Sequence, residues 1–154
     1  MPPPYSNSEY LEYATGVTQF KHNGRNVVVL TNGTQGLKSL LSVVEEGHEG
    51  WDVIHADATK SIEGHTLADE GKEGEGEVNL AAAINIAAAL KSRIKKDKDT
   101  VFVINCKAGQ VRSVTLAAHL RAACQGETAR NAYDEFEFRK KQSEKVKERV
   151  FAGL

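Results

Sequence analysis

Apolar residues recur along this 154-residue chain with two spacings, one typical of buried strands and one typical of helices. Short runs rich in Val, Ile and Phe predict strands at 17–20, 26–31, 51–56 and 101–104. Apolar positions three and four residues apart predict helices at 35–46, 78–94, 114–123, 127–138 and 142–151. Strands that alternate with helices predict an α/β fold, a three-layer sandwich whose central, mostly parallel sheet is flanked by helices.

Two segments fall outside this alternation. Residues 1–15 are polar apart from their tyrosines, and we expect them to form a flexible N-terminal tail ahead of a single domain over 16–154. Residues 57–77 are rich in glycine and acidic residues and have no regular apolar period, which predicts a long loop. Loops of this length inside a compact domain are usually functional or mobile.

Composition and charge exclude several classes of partner. Charged residues make up 27% of the chain and the net charge is −1, so no global field draws the protein to nucleic acid or to a membrane. The longest uncharged apolar run is too short for a transmembrane helix, and no signal segment opens the chain. We therefore expect a cytoplasmic protein without stable membrane association, in which Cys106 and Cys124 are free thiols.

The stretch from Cys106 to Ser113 carries the candidate chemistry. A predicted buried strand leads into it and a predicted helix follows it, so loop N–H groups and a positive helix N-terminus point at one place. Such a cradle stabilises a thiolate at Cys106, which makes it a nucleophile. The planar guanidinium of Arg112 can donate two hydrogen bonds to two phosphate oxygens, and Gly109 lets the backbone approach the ligand closely. The alternative interpretation, a buried structural cysteine, leaves the arginine, glycine and serine at these offsets unexplained.

The pattern Cys-x₅-Arg, with Gly109 between and Ser113 directly after, resembles the signature loop of the cysteine-based protein tyrosine phosphatases, most closely the dual-specificity branch. The order of predicted elements from about Trp51 onward is also similar to that family. The resemblance implies hydrolysis of phosphate monoesters through a phosphocysteine intermediate, with the Ser113 hydroxyl assisting the thiolate. One position departs from the family, which usually has His before the nucleophile where this chain has Asn105.

The same resemblance implies which loop residues hold the substrate. The expected phosphate-binding set consists of Lys107, Ala108, Gly109, Gln110, Val111 and Arg112.

A phosphocysteine route also needs a general acid, which can then act as the base for water. In the family this is an Asp before the helix that precedes the cysteine strand. Asp57 directly follows a predicted strand, as the family's acid does, whereas Asp69 has the more typical separation from the cysteine. We prefer Asp69, while Asp57 stays a candidate. The remaining alternatives are Glu70, Glu73 and a site without a general acid.

The substrate favoured by the sequence is a phosphorylated protein. Lys107 adds positive charge beside the loop, but the acidic stretch over 63–77 would repel an anionic membrane surface. The alternatives are a phosphoinositide or phospholipid phosphatase, a phosphate-binding pseudophosphatase disabled at Asn105, and a rhodanese-like sulfur or arsenate handler. We expect no cofactor, and no metal because the five histidines show no ligand spacing with the cysteines.

Overall fold

The computed structural model describes residues 3–67 and 78–154. Within these ranges five strands form one sheet: β1 (Gly16–His22), β2 (Arg25–Gly33), β3 (Asp52–Asp57), β4 (Thr100–Cys106) and β5 (Glu137–Phe138). Their order across the sheet is β3-β4-β2-β1-β5. Strand β4 pairs in parallel with both β3 and β2, whereas β1 runs antiparallel to β2 and β5. Strand β4 therefore ends at Cys106 with a parallel neighbour on each side.

Helices cover both faces of this sheet. In the described ranges they are α1 (Asn7–Tyr10), α2 (Leu37–Gly47), α3 (Leu80–Ser92), α4 (Arg112–Gln125), α5 (Ala129–Asp134) and α6 (Glu144–Ala152). None of the helices in this described part has the length and apolar content needed to span a bilayer. The predicted α/β architecture, a mixed and mostly parallel sheet between helices, is confirmed.

The alternation of side chains along β4 explains the two faces. Phe102 and Ile104 belong to the core shared with α3, α4, α5 and α6, whereas Val101 and Val103 belong to the core shared with α1 and α2. All seven residues of β4 are buried. This two-sided burial explains why the strand is a continuous apolar run in the sequence rather than an alternating one.

The predicted helix over 127–138 differs from the observed structure. Helix α5 begins after Thr128, whose hydroxyl accepts from a backbone N–H of the first turn, and ends at Asp134. The chain then forms β5, in which Phe138 pairs with Gly16 of β1. A Cβ at Gly16 would lie 3.0 Å from the Phe138 ring, so the glycine permits this close edge pairing. The helix therefore ends four residues before the predicted boundary at 138, and Phe136 lies between α5 and β5.

The N-terminal segment also differs from a flexible tail. Ser6 and Glu9 form a capping box around α1. Tyr10 is only 3% exposed, and its hydroxyl hydrogen-bonds His48 Nε2 at 2.7 Å. The packing of Tyr10 against His48, at the end of α2, stabilises the folded position of this segment. The surrounding residues are polar, so their sequence does not predict this packing. The assignment of residues 16–154 to a single domain stays a prediction.

Candidate active site

Cys106 lies at the carboxyl end of β4, opposite Gly33 of β2, and is 3% exposed. Its Sγ lies 3.2 Å from Ser113 Oγ, and the Gly109 N–H donates to the same sulfur at 3.2 Å. The strand end, the loop and the first turn of α4 thus bring Cys106, Gly109 and Ser113 together around one sulfur atom.

Arg112 is the first residue of α4 and is about nine-tenths buried, with 9% exposure. Within residues 3–67 and 78–154 its guanidinium makes no hydrogen bond and no ion pair. Its nitrogens are not among the fully enclosed side-chain atoms that lack a partner in the described ranges, so the guanidinium reaches solvent at the loop. The N-terminus of a 14-residue helix adds positive potential at the same place. This position therefore calls for an anionic ligand.

Thr34, which follows β2, holds the start of the loop from outside. Its hydroxyl donates to the Cys106 carbonyl at 3.3 Å, and its backbone N–H donates to the Lys107 carbonyl at 3.1 Å. Both carbonyl oxygens therefore point toward β2 and away from the interior of the loop.

Two further side chains hold the second half of the loop. The Thr15 hydroxyl donates to the Gly109 carbonyl at 2.8 Å, and Gln142 Nε2 donates to the Gln110 carbonyl at 2.8 Å. Gln142 is itself fixed, because the Tyr133 hydroxyl donates to its Oε1. These contacts come from the N-terminal segment and from the turn before α6.

The outward carbonyls determine where the loop N–H groups point. In a planar trans peptide the C=O and the following N–H project in opposite directions. The N–H groups of Lys107, Ala108, Gln110 and Val111 therefore project away from the groups that hold the carbonyls. None of these four donates to another group in the described ranges. Successive unpaired N–H groups of this kind form an anion-binding concavity.

Gly109 is the position at which the loop touches β2. Its φ is +72°, and a Cβ there would lie 2.4 Å from the Asn32 carbonyl carbon and 2.5 Å from the Gly33 nitrogen. Both the left-handed conformation and the lack of space therefore require glycine.

Asn105, immediately before the nucleophile candidate, links two neighbouring strands. It is 1% exposed, receives a hydrogen bond from His55 Nε2 at 2.6 Å, and donates through Nδ2 to Asp57 Oδ1 at 3.2 Å. The parallel register that pairs Asp57 with Asn105 creates this contact. The side-chain oxygen and nitrogen of Asn105 are thus both hydrogen-bonded to residues of β3.

The Asp57 carboxylate is surrounded by donors. Burial acts to raise its pKa, but hydrogen bonds from the Thr59 hydroxyl and N–H and from Asn105, with Lys60 nearby, outweigh burial and lower the pKa. Asp57 is therefore ionised at neutral pH. The other predicted acid, Asp69, lies outside the described residues, as do Glu70 and Glu73.

The remaining predicted residues lie around the mouth of the loop. Lys107, Ala108 and Gln110 are exposed, whereas Val111 is buried. A cavity of about 390 Å³ lies on the side of the loop that faces Thr15 and Gln142, and its lining also includes the basic run Arg139, Lys140 and Lys141. Three basic residues thus lie beside Gly109 and Gln110.

Cys124 lies apart from this cluster, near the end of α4. It is a free, partly buried thiol, and burial raises its pKa to about 11. No group of three His, Cys, Asp or Glu side chains in the described part of the chain is placed to hold a metal ion.

Reasoning from the sequence missed Thr15, Thr34 and Gln142. Each is a common polar residue without a motif, and each lies far along the chain from the carbonyl that it holds. Thr34 reaches the loop because it follows β2, which pairs with β4 in the folded sheet.

No protein-family model and no curated protein matches the chain. Eight chains of solved structures match, among them Tk-PTP in a mutant form, at 13% sequence identity and a TM-score of 0.44. That alignment covers 88% of this chain and 93% of Tk-PTP.

Proposed function

We propose that this protein is a cysteine-dependent phosphatase that hydrolyses phosphate monoesters, with Cys106 as the nucleophile. The observation that carries the proposal is Arg112, which is buried and unpaired within the described ranges at a helix N-terminus beside Cys106. The inward N–H groups of the loop supply further donors for the same anion. A dianionic phosphate group is the ligand that matches this arrangement of donors.

In the first step the Cys106 thiolate attacks phosphorus. An S–P bond forms, the ester P–O bond breaks, and the leaving oxygen takes a proton from a carboxylic acid. The loop N–H groups and Arg112 bind the three non-bridging oxygens as charge redistributes over them. Because these donors are fixed before substrate binds, little reorganisation is needed during the reaction.

In the second step water attacks phosphorus and the S–P bond breaks. Inorganic phosphate leaves, and the proton from water passes to the carboxylate that served as the acid. The Ser113 Oγ lies 3.2 Å from Sγ. Once the sulfur is a thiolate and has no proton to give, the Ser113 hydroxyl turns its own proton toward it and donates. This contact lowers the barrier for regenerating free Cys106.

We propose Asp69 as the acid of the first step, with Asp57 as the alternative. The donors around Asp57 lower its pKa and so disfavour the protonated form that a general acid needs.

A phosphorylated protein remains the proposed substrate. The cavity beside Gly109 and Gln110, with its wall formed by Arg139, Lys140 and Lys141, offers room and positive charge for chain flanking the phosphorylated residue. The acidic residues over 63–77 disfavour an anionic lipid surface. Free thiols at Cys106 and Cys124 fit a cytoplasmic location.

Hydrolysis of p-nitrophenyl phosphate between pH 5 and 8 tests the proposal. We expect activity in the wild type, its loss in Cys106→Ser, and no change in the matched control Cys124→Ser, because only Cys106 adjoins the loop. Asp57→Asn and Asp69→Asn then identify the acid, whose loss should cut kcat by about 10²-fold or more.

Other outcomes favour other functions. Binding of vanadate without turnover in the wild type would identify a phosphate-binding pseudophosphatase, for which the Asn105 amide in place of an imidazole is the structural motivation. Turnover of phosphoinositides in preference to phosphopeptides would overturn the proposed substrate. Transfer from thiosulfate or reduction of arsenate, without phosphatase activity, would support the rhodanese-like alternative.

A further inference from the structure

We propose that Thr15, in the N-terminal segment, is a positioning residue for the phosphate-binding loop. Its hydroxyl holds the Gly109 carbonyl outward, so that the Gln110 N–H points into the site. The kinetic part of this proposal rests on the proposed phosphatase function, whereas its anion-binding part does not.

The donor and the acceptor of each hydrogen bond around Thr15 can be assigned in only one way. A hydroxyl has one proton, and Thr15 Oγ1 uses it toward the Gly109 carbonyl at 2.8 Å. The contact of 3.0 Å between Thr15 Oγ1 and Thr31 Oγ1 must then have Thr31 as the donor. Thr31 is fully buried, and the Thr15 N–H donates to the Thr31 carbonyl at 2.9 Å. Thr15 is therefore fixed at both its backbone and its side chain.

Thr15 holds the carbonyl of the Gly109–Gln110 peptide. The orientation of this peptide is the one that the loop backbone itself restricts least. Glycine populates left- and right-handed conformations with similar ease, so rotation of the Gly109–Gln110 peptide meets little local resistance. If that peptide turned over, its carbonyl oxygen would replace the Gln110 N–H beside the bound anion. The exchange removes one donor and adds a repulsive dipole, and the Thr15 hydroxyl opposes it.

The surrounding chain keeps Thr15 in place. The Arg139 N–H donates to the Thr15 carbonyl at 2.9 Å, and Arg139 Nε donates to the Leu11 carbonyl at 2.8 Å. Asn32, at the end of β2, donates through Nδ2 to the Tyr13 carbonyl at 3.1 Å. Residues 11–15 thus run along the rim of the site under three separate restraints, which makes this segment part of the loop's support.

The test compares Thr15→Val with Thr15→Ser. The valine variant keeps the shape of the side chain and removes the donor, whereas the serine variant retains the donor. Thr100→Val is the matched control, because it changes a buried strand threonine whose hydroxyl has no hydrogen-bond partner. Each variant is measured for the Kd of orthovanadate, for kcat and KM with p-nitrophenyl phosphate, and for Tm.

We expect Thr15→Val to weaken vanadate binding and lower kcat/KM by about 10-fold, less than the roughly 10²–10³-fold loss in kcat caused by deleting an oxyanion donor outright. Thr15→Ser should restore both values to within about threefold of the wild type, since it restores the same hydroxyl donor. Thr100→Val should match the wild type in both.

Several results would overturn the inference. Wild-type vanadate affinity and kcat/KM in Thr15→Val would do so. A loss that follows a lowered Tm and that serine does not rescue would reduce Thr15 to a structural role. If the wild type binds vanadate without turnover, the phosphatase proposal fails, and weaker binding in Thr15→Val still supports the positioning role.

Discussion

Gly109→Ala is the most demanding test of how closely the loop packs on the sheet. The new Cβ would lie 2.4 Å from the Asn32 carbonyl carbon and 2.5 Å from the Gly33 nitrogen, whereas ordinary contact begins at 3.4 Å. Both neighbours are backbone atoms at the end of β2, so neither can turn aside as a side chain would. The loop must therefore move outward by about 1 Å, the shortfall in these contacts.

The free-energy cost has two parts. A non-glycine residue in the left-handed conformation costs about 1–2 kcal/mol. Overpacking by one methyl group in a closely packed place typically costs about 1–3 kcal/mol more. The free energy of unfolding should therefore fall by about 2–5 kcal/mol, which corresponds to a large shift of the urea midpoint at a typical slope of about 1–3 kcal/mol per M.

The same movement should impair function. It pulls the Gly109 N–H away from Cys106 Sγ and the Gly109 carbonyl away from Thr15. We expect kcat with p-nitrophenyl phosphate to fall by about 10²-fold or more, as when a fixed oxyanion donor is lost. Vanadate affinity should fall as well, and it can be measured in a variant that does not turn over substrate.

Gly126→Ala separates the conformational cost from the clash. Gly126 has φ +66°, but a Cβ there meets nothing within 4 Å. This control should lose only the conformational part, about 1–2 kcal/mol, and keep full activity. If Gly109→Ala shows the same urea midpoint as Gly126→Ala and wild-type vanadate affinity, the close approach of loop and sheet does not control the site, and the reasoning fails.

Three further predictions use the same assays. Arg112→Lys should raise the vanadate Kd about 10- to 100-fold with little change in Tm, because a hydrogen bond to a charged group contributes about 1.5–3 kcal/mol. Unchanged binding would show that the guanidinium does not form two hydrogen bonds to the anion. Thr100→Val should raise the free energy of unfolding in urea by about 1 kcal/mol, since its buried hydroxyl is unsatisfied, and a destabilised variant would contradict this. Burial lowers the pKa of His48 despite its hydrogen bond to the Val44 carbonyl, so the unfolded chain binds the proton more tightly. Stability should therefore decline as pH falls below 6.5, and His48→Gln should reduce the difference between urea midpoints at pH 5 and pH 8; an unaltered difference would refute this.

The elements around the site were largely predictable because their signals are local. Strand β4 is buried on both faces and is therefore a continuous apolar run, and α4 follows it without a helix breaker. Even so, the helix expected over 127–138 was wrong at its end. There the pairing of Phe138 with Gly16 overrides helical spacing, and a pairing partner more than a hundred residues away leaves no local signal.

By itself the sequence determined the α/β alternation, the loop from Cys106 to Ser113 and the need for glycine within it. These features depend on periodicity and on residues that are neighbours along the chain. The tertiary structure alone decided that Thr15 and Gln142 hold the loop carbonyls and that Asn105 contacts Asp57. Such contacts depend on strand register and on how distant segments pack, so many polar residues could have filled these places and no spacing identifies which ones do.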